Sequence, residues 1–112
     1  MFGPDHLITL RLMAVLTYAL AGLGQYEQAR SLGQDALDRC RRALGADHLA
    51  TLSSAAVLTY TLAWVGEHEQ ARELGRDTVE RARRALGPDH PATLRLARAL
   101  DPLAWTRPQQ QR

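Results

Sequence analysis

The stretch Leu86–Leu94 reads LGPDHPATL, and close copies of it stand at Leu44–Leu52 (LGADHLATL) and Gly3–Leu10 (GPDHLITL). The copies lie 42 residues apart, and residues 3–44 match residues 45–86 at 26 of 42 positions without a gap. A fixed period of this length is typical of a repeat architecture, in which each unit buries its apolar surface against the next unit. The 112-residue chain is therefore predicted to stack copies of one small module.

Each copy predicts two helices. The first segment, Leu7 to about Gly22, is apolar on almost every side, and such a helix must be covered on several faces. The second segment, Tyr26–Leu44, has apolar residues at three- and four-residue spacings with charged residues between them, which indicates one buried side. Its copy, His68–Leu86, repeats the pattern. The fold class predicted from these segments is all-α.

The quoted stretch is predicted to be the joint between modules. Gly45 would end the helix of Tyr26–Leu44 and Gly87 would end its copy, because glycine is favoured just past a helix C-terminus. Asp47 or Asp89, or the histidine that follows each, would then cap the next first helix. Pro91 suits a first helical turn, where its missing N–H costs nothing.

A helix pair that opens with LGPDHPxTL and continues to GxYxxAxxL resembles a tetratricopeptide repeat. More narrowly, it resembles the long-unit variety found in kinesin light chains and in many bacterial regulatory proteins. The residues that carry the resemblance are Gly24, Tyr26, Ala29 and Leu32 in the first unit and Gly66, His68, Ala71 and Leu74 in the second. The resemblance implies a right-handed superhelix, an α-α solenoid of about two and a half repeats, whose function is to bind protein.

The predicted boundaries follow the period. Repeat 1 spans residues 3–44, repeat 2 spans 45–86, and a truncated third repeat consisting of a first helix spans 87–100. Asp101-Pro102 replaces the Thr59-Tyr60 of the second unit, and a proline in a helix interior breaks the helix. Residues 101–112 are therefore predicted to form a short C-terminal cap or a loose tail.

The resemblance also implies where a partner binds, since first helices line the concave side of a stacked array. Aromatic side chains there supply contact area and arginines supply charge-assisted hydrogen bonds. The predicted groove residues are Arg11, Tyr18, Ser53, Tyr60, Trp64, Arg95 and Arg98. Relatives often carry paired Asn in this helix, but Ala14-Val15 and Ala56-Val57 stand here, which argues against a grip on a peptide backbone. An open alternative is that Tyr18 and Tyr60 only fill space between modules.

The residues do not predict catalysis. His6, His48 and His90 occupy equivalent positions of successive modules, about 10 Å apart. Zinc ligands lie about 2 Å from one metal, so these three histidines cannot converge on it. Cys40 aligns with Ala82 and is predicted to be a small core residue. With no phosphate-binding glycine loop and no paired nucleophile and base, we expect no enzyme, no metal site and no cofactor.

Charge and hydropathy limit the classes of partner and the location that the sequence predicts. The net charge is +2, and all fourteen basic residues are arginine. The runs RCRRAL (39–44) and RARRAL (81–86) could contact phosphates, but cations near a helix C-terminus also complement its dipole. Nucleic acid is therefore not favoured as a partner. The longest apolar stretch is too short to span a bilayer, and a single cysteine allows no internal disulfide, so we expect a cytoplasmic protein.

Two hypotheses about partners stay open besides the least favoured one, a nucleic-acid binder that works through the outer arginine rows. The favoured one is a peptide or helix of another protein docked in the concave groove. The other is a homodimer, because arrays usually need about three repeats and this chain has two and a fraction. A piece of a longer array would explain the same number of repeats. The outward side of the first helix, where Leu12 and Met13 are expected, would be an apolar end; Ser54 replaces Leu12 in the internal copy.

Overall fold

A computed structural model describes residues 6–100 of the chain. They form five α-helices: α1 (Leu7–Gly22), α2 (Tyr26–Leu44), α3 (Leu49–Trp64), α4 (His68–Leu86) and α5 (Pro91–Ala99). The described residues contain no β-strand, and the prediction of an all-α helical solenoid is confirmed. The predicted cap or tail at residues 101–112 lies outside the described part of the chain.

The helices stack in chain order. α1 packs against both α2 and α3, so that α1 and α3 lie side by side. α2 packs between α1 and α3, and α4 packs between α3 and α5. We call α1, α3 and α5 the first helices and α2 and α4 the second helices. Each second helix therefore packs between two first helices. None of the helices between residues 6 and 100 is both long enough and apolar enough to cross a membrane.

Histidine, and not aspartate, caps the first helix of each module. The Nδ1 atoms of His6, His48 and His90 accept hydrogen bonds from the backbone N–H two residues further on, at 3.1, 3.0 and 3.0 Å. Each histidine has extended backbone angles, as an N-cap residue requires. The carboxylate of Asp47 instead pairs with Arg81 of α4, at 3.4 Å.

Glycine forms the turn inside each module. Gly24 and Gly66 have φ of +85° and +93°, in the left-handed region where a side chain is strained. This conformation brings the chain back on itself within three residues, between α1 and α2 and again between α3 and α4. The second helix consequently packs along the first.

The core lies between α2, α3 and α4. Its centre is the buried cluster of Leu37, Ala55, Leu58, Leu62 and Ala71. The many alanines let the helices approach closely, and dispersion contacts are strongest at such short separations.

Two helical glycines, Gly33 and Gly75, lie where neighbouring helices pack closely against each other. A Cβ added to Gly33 would lie 3.0 Å from Thr17 Cγ2 and 3.1 Å from Leu58 Cδ1. A Cβ added to Gly75 would lie 3.3 Å from Thr59 Cγ2. Gly33 thus lets α2 fit between the first helices of both modules.

Buried threonines satisfy their hydroxyls in two ways. Thr17 and Thr59 each donate to the carbonyl four residues earlier in their own helix, at 2.8 Å. Thr51 donates to the carbonyl of Cys40 at 3.3 Å, and Thr93 donates to that of Ala82 at 3.2 Å. The last two bonds, which we call the joint bonds, link one module to the next and repeat with the 42-residue period.

Candidate functional site

A groove of about 460 Å³ runs between α1 and α3. We call it the inner groove. Its lining is mainly apolar, as in most peptide and ligand sites, with a few polar groups along it. The residues that the argument uses are Leu7, Arg11, Val15 and Tyr18 from α1 and Leu49, Ser53 and Val57 from α3.

A second depression of about 480 Å³ continues from the inner groove and is aromatic. We call it the aromatic end; it is lined by Tyr18, Tyr60, Ala63, Trp64 and Ala99. Tyr18 lines both depressions and therefore connects them. Together they form one surface that crosses α1, α3 and the end of α5.

Two aromatic rings meet across the module boundary. The ring centroids of Tyr18 and Trp64 are 5.8 Å apart with an angle of 37° between the planes. This spacing is in the favourable range for aromatic pairs. Trp64 nevertheless keeps 48% of its surface exposed and Tyr18 keeps 52%. Both rings are therefore positioned by packing and still available for contact with a partner.

Tyr60 supplies a hydroxyl at the aromatic end. Burial raises the pKa of Tyr60 above its ordinary value of 10.0, and the neighbouring Tyr18 raises it further. Tyr60 is therefore a neutral hydrogen-bond donor at physiological pH.

The structure brings five of the seven predicted groove residues together. Arg11 and Ser53 line the inner groove, Tyr60 and Trp64 line the aromatic end, and Tyr18 lines both. Arg95 and Arg98 are exposed on α5 but line neither depression. Their part in binding stays a prediction.

Sequence reasoning missed several lining residues. Leu7, Val15, Leu49 and Val57 line the inner groove, and Ala99 lines the aromatic end. The signal was present in part, because Leu7, Arg11 and Tyr18 lie on one side of a helix with a period of 3.6 residues. Which of the many apolar positions of α1 and α3 face the groove depends on how the two helices are rotated against each other, and the pattern does not carry this information.

Among residues 6–100, the first helices carry arginine and no acid. Arg11, Arg95 and Arg98 are their charged residues, since α1, α3 and α5 contain neither aspartate nor glutamate. Within the same residues no cluster of three metal-binding side chains occurs. The thiol of Cys40 lies 3.5 Å from Ser54 Oγ at the floor of the groove and is almost fully buried.

The arginines of the second helices have a different environment. Arg39 and Arg81 bind the carboxylates of Asp35 and Asp77, each at 3.0 Å. Arg83 and Arg84 lie 3.7 and 3.4 Å from the carboxylate of Glu80. Four of the six arginines in the two basic runs are thus already paired with acids on their own helix.

Comparison with protein families decides the classification. Residues 9–50 and 51–92 each match the model of a family described as tetratricopeptide repeat. The chain belongs to the tetratricopeptide repeat family. No curated protein matches the chain. Each matched segment is 42 residues long, the same length as the period in the sequence, and together they cover α1 to α4 almost completely.

Tetratricopeptide repeats are in general protein-interaction modules. In this chain the first helices form a surface with a distinct composition. It is open, mainly apolar and aromatic, and its charged groups share one sign. The second helices present mixed charges that pair among themselves.

Proposed function

We propose that this protein is a non-enzymatic interaction module that binds a segment of a partner protein in the inner groove and at its aromatic end. The segment carries apolar side chains next to aspartate or glutamate. The observation that supports this choice is the charge of the first helices, which have arginines at Arg11, Arg95 and Arg98 and no acidic residue.

The contacts would be divided between the two depressions. Apolar side chains of the segment would fill the inner groove beside Val15 and Leu49, and an aromatic or aliphatic side chain would pack on Tyr18 and Trp64. Aromatic residues in preformed pockets supply most of the binding free energy in many interfaces. The rings here are partly ordered by their mutual contact, so less entropy is lost on binding.

Polar groups would set the orientation. Carboxylates of the segment would bind Arg11 at one end and Arg95 and Arg98 near the other, while the Ser53 hydroxyl would bond to the backbone. Guanidinium groups suit carboxylates because both are planar and can form two parallel hydrogen bonds.

Nucleic acid is less well supported as a partner. The basic runs on α2 and α4 would have to supply the phosphate contacts, and four of their arginines are paired with carboxylates. A phosphate would have to compete with those acids. The inner surface, in turn, has too few arginines for the strong salt dependence of nucleic acid binding.

Selection from a displayed library of random peptides on the full chain tests the proposal. We expect selected peptides to combine large apolar side chains with acidic residues. Trp64→Ala should weaken their binding by about 2 kcal/mol, or about thirty-fold, as truncation of an aromatic anchor commonly does. Arg11→Gln should weaken it less and reduce its dependence on salt.

Tyr26→Ala is the matched control, because Tyr26 is an exposed tyrosine on α2, away from both depressions. It should leave peptide affinity unchanged. Selected peptides that are basic, or that bind the Trp64→Ala and Arg11→Gln variants as tightly as the wild type, would contradict the proposal.

A further inference from the structure

One side of α1 is apolar, uncharged and uncovered by any described residue. Ile8, Leu12, Leu16, Ala19 and Leu23 follow one another at four- and three-residue spacings, so they share one side of the helix. We call these five residues the outer stripe. All five are exposed, with 61% of Leu12, 52% of Leu16 and 74% of Leu23 accessible to solvent.

Three of the equivalent positions in the second module, Ser54, Leu58 and Thr61, are buried, and the other two are partly buried. Leu58 stands where Leu16 does, and only 2% of it is exposed, because α2 packs on that side of α3. Ser54 stands where Leu12 does and contacts Cys40 of α2. A helix therefore normally lies against this side of a first helix, and α1 has none within residues 6–100.

A second copy cannot cover the outer stripe by extending the stack. Such a joint needs the free side of a second helix, and both second helices have that side occupied. α2 carries α3 there, with Gly33 against Leu58. α4 carries α5 there, with the joint bond from Thr93 to Ala82.

Within residues 6–100, the uncharged apolar surface that a second copy offers is its own outer stripe. Seven large apolar side chains of α1 and its C-cap are exposed, and four of them lie on the outer stripe: Ile8, Leu12, Leu16 and Leu23. The other three, Leu7, Val15 and Tyr18, line the inner groove. The single charged residue of α1, Arg11, points into the inner groove and not onto the outer stripe. Two outer stripes can therefore pack together without burying a charge, whose desolvation would be costly.

We propose that the protein forms a two-fold dimer in which the α1 helices of two copies pack antiparallel through their outer stripes. The midpoint of the stripe falls beside Leu16, so antiparallel packing places Leu16 next to its symmetry mate and Ile8 next to Leu23 of the other copy. Both stripes are then fully covered, and the N-terminus of each helix lies beside the C-terminus of the other, an arrangement that the helix dipoles favour. Such isologous two-fold contacts are the commonest form of association among soluble proteins.

The dimer would have a consequence for binding. At about 100° per residue, the outer stripe and the groove side of α1 are roughly 130° apart around the helix. A two-fold axis perpendicular to two antiparallel helices keeps both grooves on the same side of the pair. The dimer would therefore present two inner grooves to one partner, and a partner with two suitable segments would bind with increased avidity.

Light scattering coupled to size-exclusion chromatography of the full chain tests the association. We expect a mass twice the 12.4 kDa of one chain at high concentration, with dissociation on dilution. Leu12→Glu should give the single-chain mass at every concentration, with helix content by circular dichroism unchanged because Leu12 is exposed. Leu94→Glu is the matched control, since Leu94 is an exposed leucine of α5, and it should keep the wild-type mass.

Oxidative cross-linking tests the geometry. In a Cys40→Ala background, Leu16→Cys should form a disulfide-linked dimer, because the two residues face each other across the axis. Leu23→Cys should not, because antiparallel packing separates the two copies of residue 23 by roughly 22 Å along the helices. A wild-type chain that is monomeric at all concentrations, a Leu12→Glu variant that still dimerises, growth beyond two chains, or cross-linking through Leu23→Cys would each overturn the proposal.

Discussion

α1 and α3 occupy equivalent places in the two modules but differ in how many of their residues are buried. Both contain 16 residues, both begin after a capping histidine, and both are followed by a glycine with positive φ. Nine residues of α3 are nevertheless buried, against three of α1. α1 has the larger apolar side chains, with Leu12 where α3 has Ser54 and Ile8 where α3 has Ala50.

The difference shows that burial in a repeat array is decided by a helix's neighbours as much as by its own sequence. α3 is covered by α1, α2 and α4, whereas α1 is covered by α2 and α3. Because the sequence period is 42 residues, 26 positions of the first module have the same residue in the second module, so that at these positions the two modules differ in surroundings and not in side chain. Paired substitutions at such positions measure the effect of those surroundings directly.

The largest expected effect concerns Leu16 and Leu58. Leu58→Ala should lower the free energy of unfolding by about 3 kcal/mol, because it leaves a cavity in the cluster with Leu37 and Leu62. Leu16→Ala should lower it by about 0.5 kcal/mol or less, since half of the side chain is exposed. Urea denaturation at a concentration where the chain is monomeric provides the measurement. Equal losses at the two positions would mean that the modules are covered alike, contrary to the structure.

A smaller contrast is expected at Gly33 and Gly75. A methyl group at Gly33 would lie 3.0 Å from Thr17 Cγ2 and 3.1 Å from Leu58 Cδ1, both almost fully buried, and overpacking of this kind costs about 1–3 kcal/mol. The gain in helix propensity from glycine to alanine is about 1 kcal/mol, so Gly33→Ala should destabilise by about 1 kcal/mol net.

Gly75→Ala is the matched variant. Its added Cβ would lie 3.3 Å from Thr59 Cγ2 and 3.6 Å from Leu100 Cβ, so one contact is tight and the other is an ordinary van der Waals contact, whereas Gly33 has two tight contacts. The change should therefore be close to neutral or slightly stabilising. Urea denaturation provides the measurement. An equal loss of stability in both variants would contradict the prediction that the close contact of Gly33 with Thr17 and Leu58 is what makes Gly33→Ala destabilising.

The smallest expected effect concerns Tyr60 and alkaline pH. Folding raises the pKa of Tyr60 above 10.0 and thus favours the neutral phenol, so its contribution to stability is complete below about pH 10. That contribution is lost as the pH rises through the higher pKa of the folded state. Tyr60→Phe should flatten the decline of stability above pH 10, measured by urea denaturation at a series of pH values. Tyr26→Phe is the control, and an equal flattening by both variants would contradict the assignment to Tyr60.

The fold could be predicted in detail because each repeat contains the residues that begin and end its helices. Leu7, Gly22, Tyr26 and Leu44 were predicted as the ends of the first two helical segments, and the helices begin and end there. Glycines and histidines at fixed offsets set these limits through local backbone geometry, which a sequence records directly. The capping atom was left open between aspartate and histidine, because both are short polar side chains at the joint, and only the backbone orientation selects the histidine Nδ1.

The candidate site could be predicted only in part. Tyr18, Tyr60 and Trp64 were assigned to the inner surface from their place in the repeat, and they line its aromatic end. The contact between Tyr18 and Trp64 was not foreseen, because it depends on the rotation of α3 against α1. Arg95 and Arg98 were assigned by the same periodic argument, but α5 packs chiefly against α4, so these arginines lie outside the two depressions.

The joint bonds explain how the array tolerates sequence change between modules. Thr51 and Thr93 donate to backbone carbonyls, so the link does not depend on the acceptor's side chain, which is a thiol at Cys40 and a methyl group at Ala82. The donor is held by the position of the threonine, and every peptide unit supplies an acceptor. A further module inserted between the two would find a donor and an acceptor already in place at both of its ends, so the array can be lengthened in evolution, or by design, without inventing a new junction.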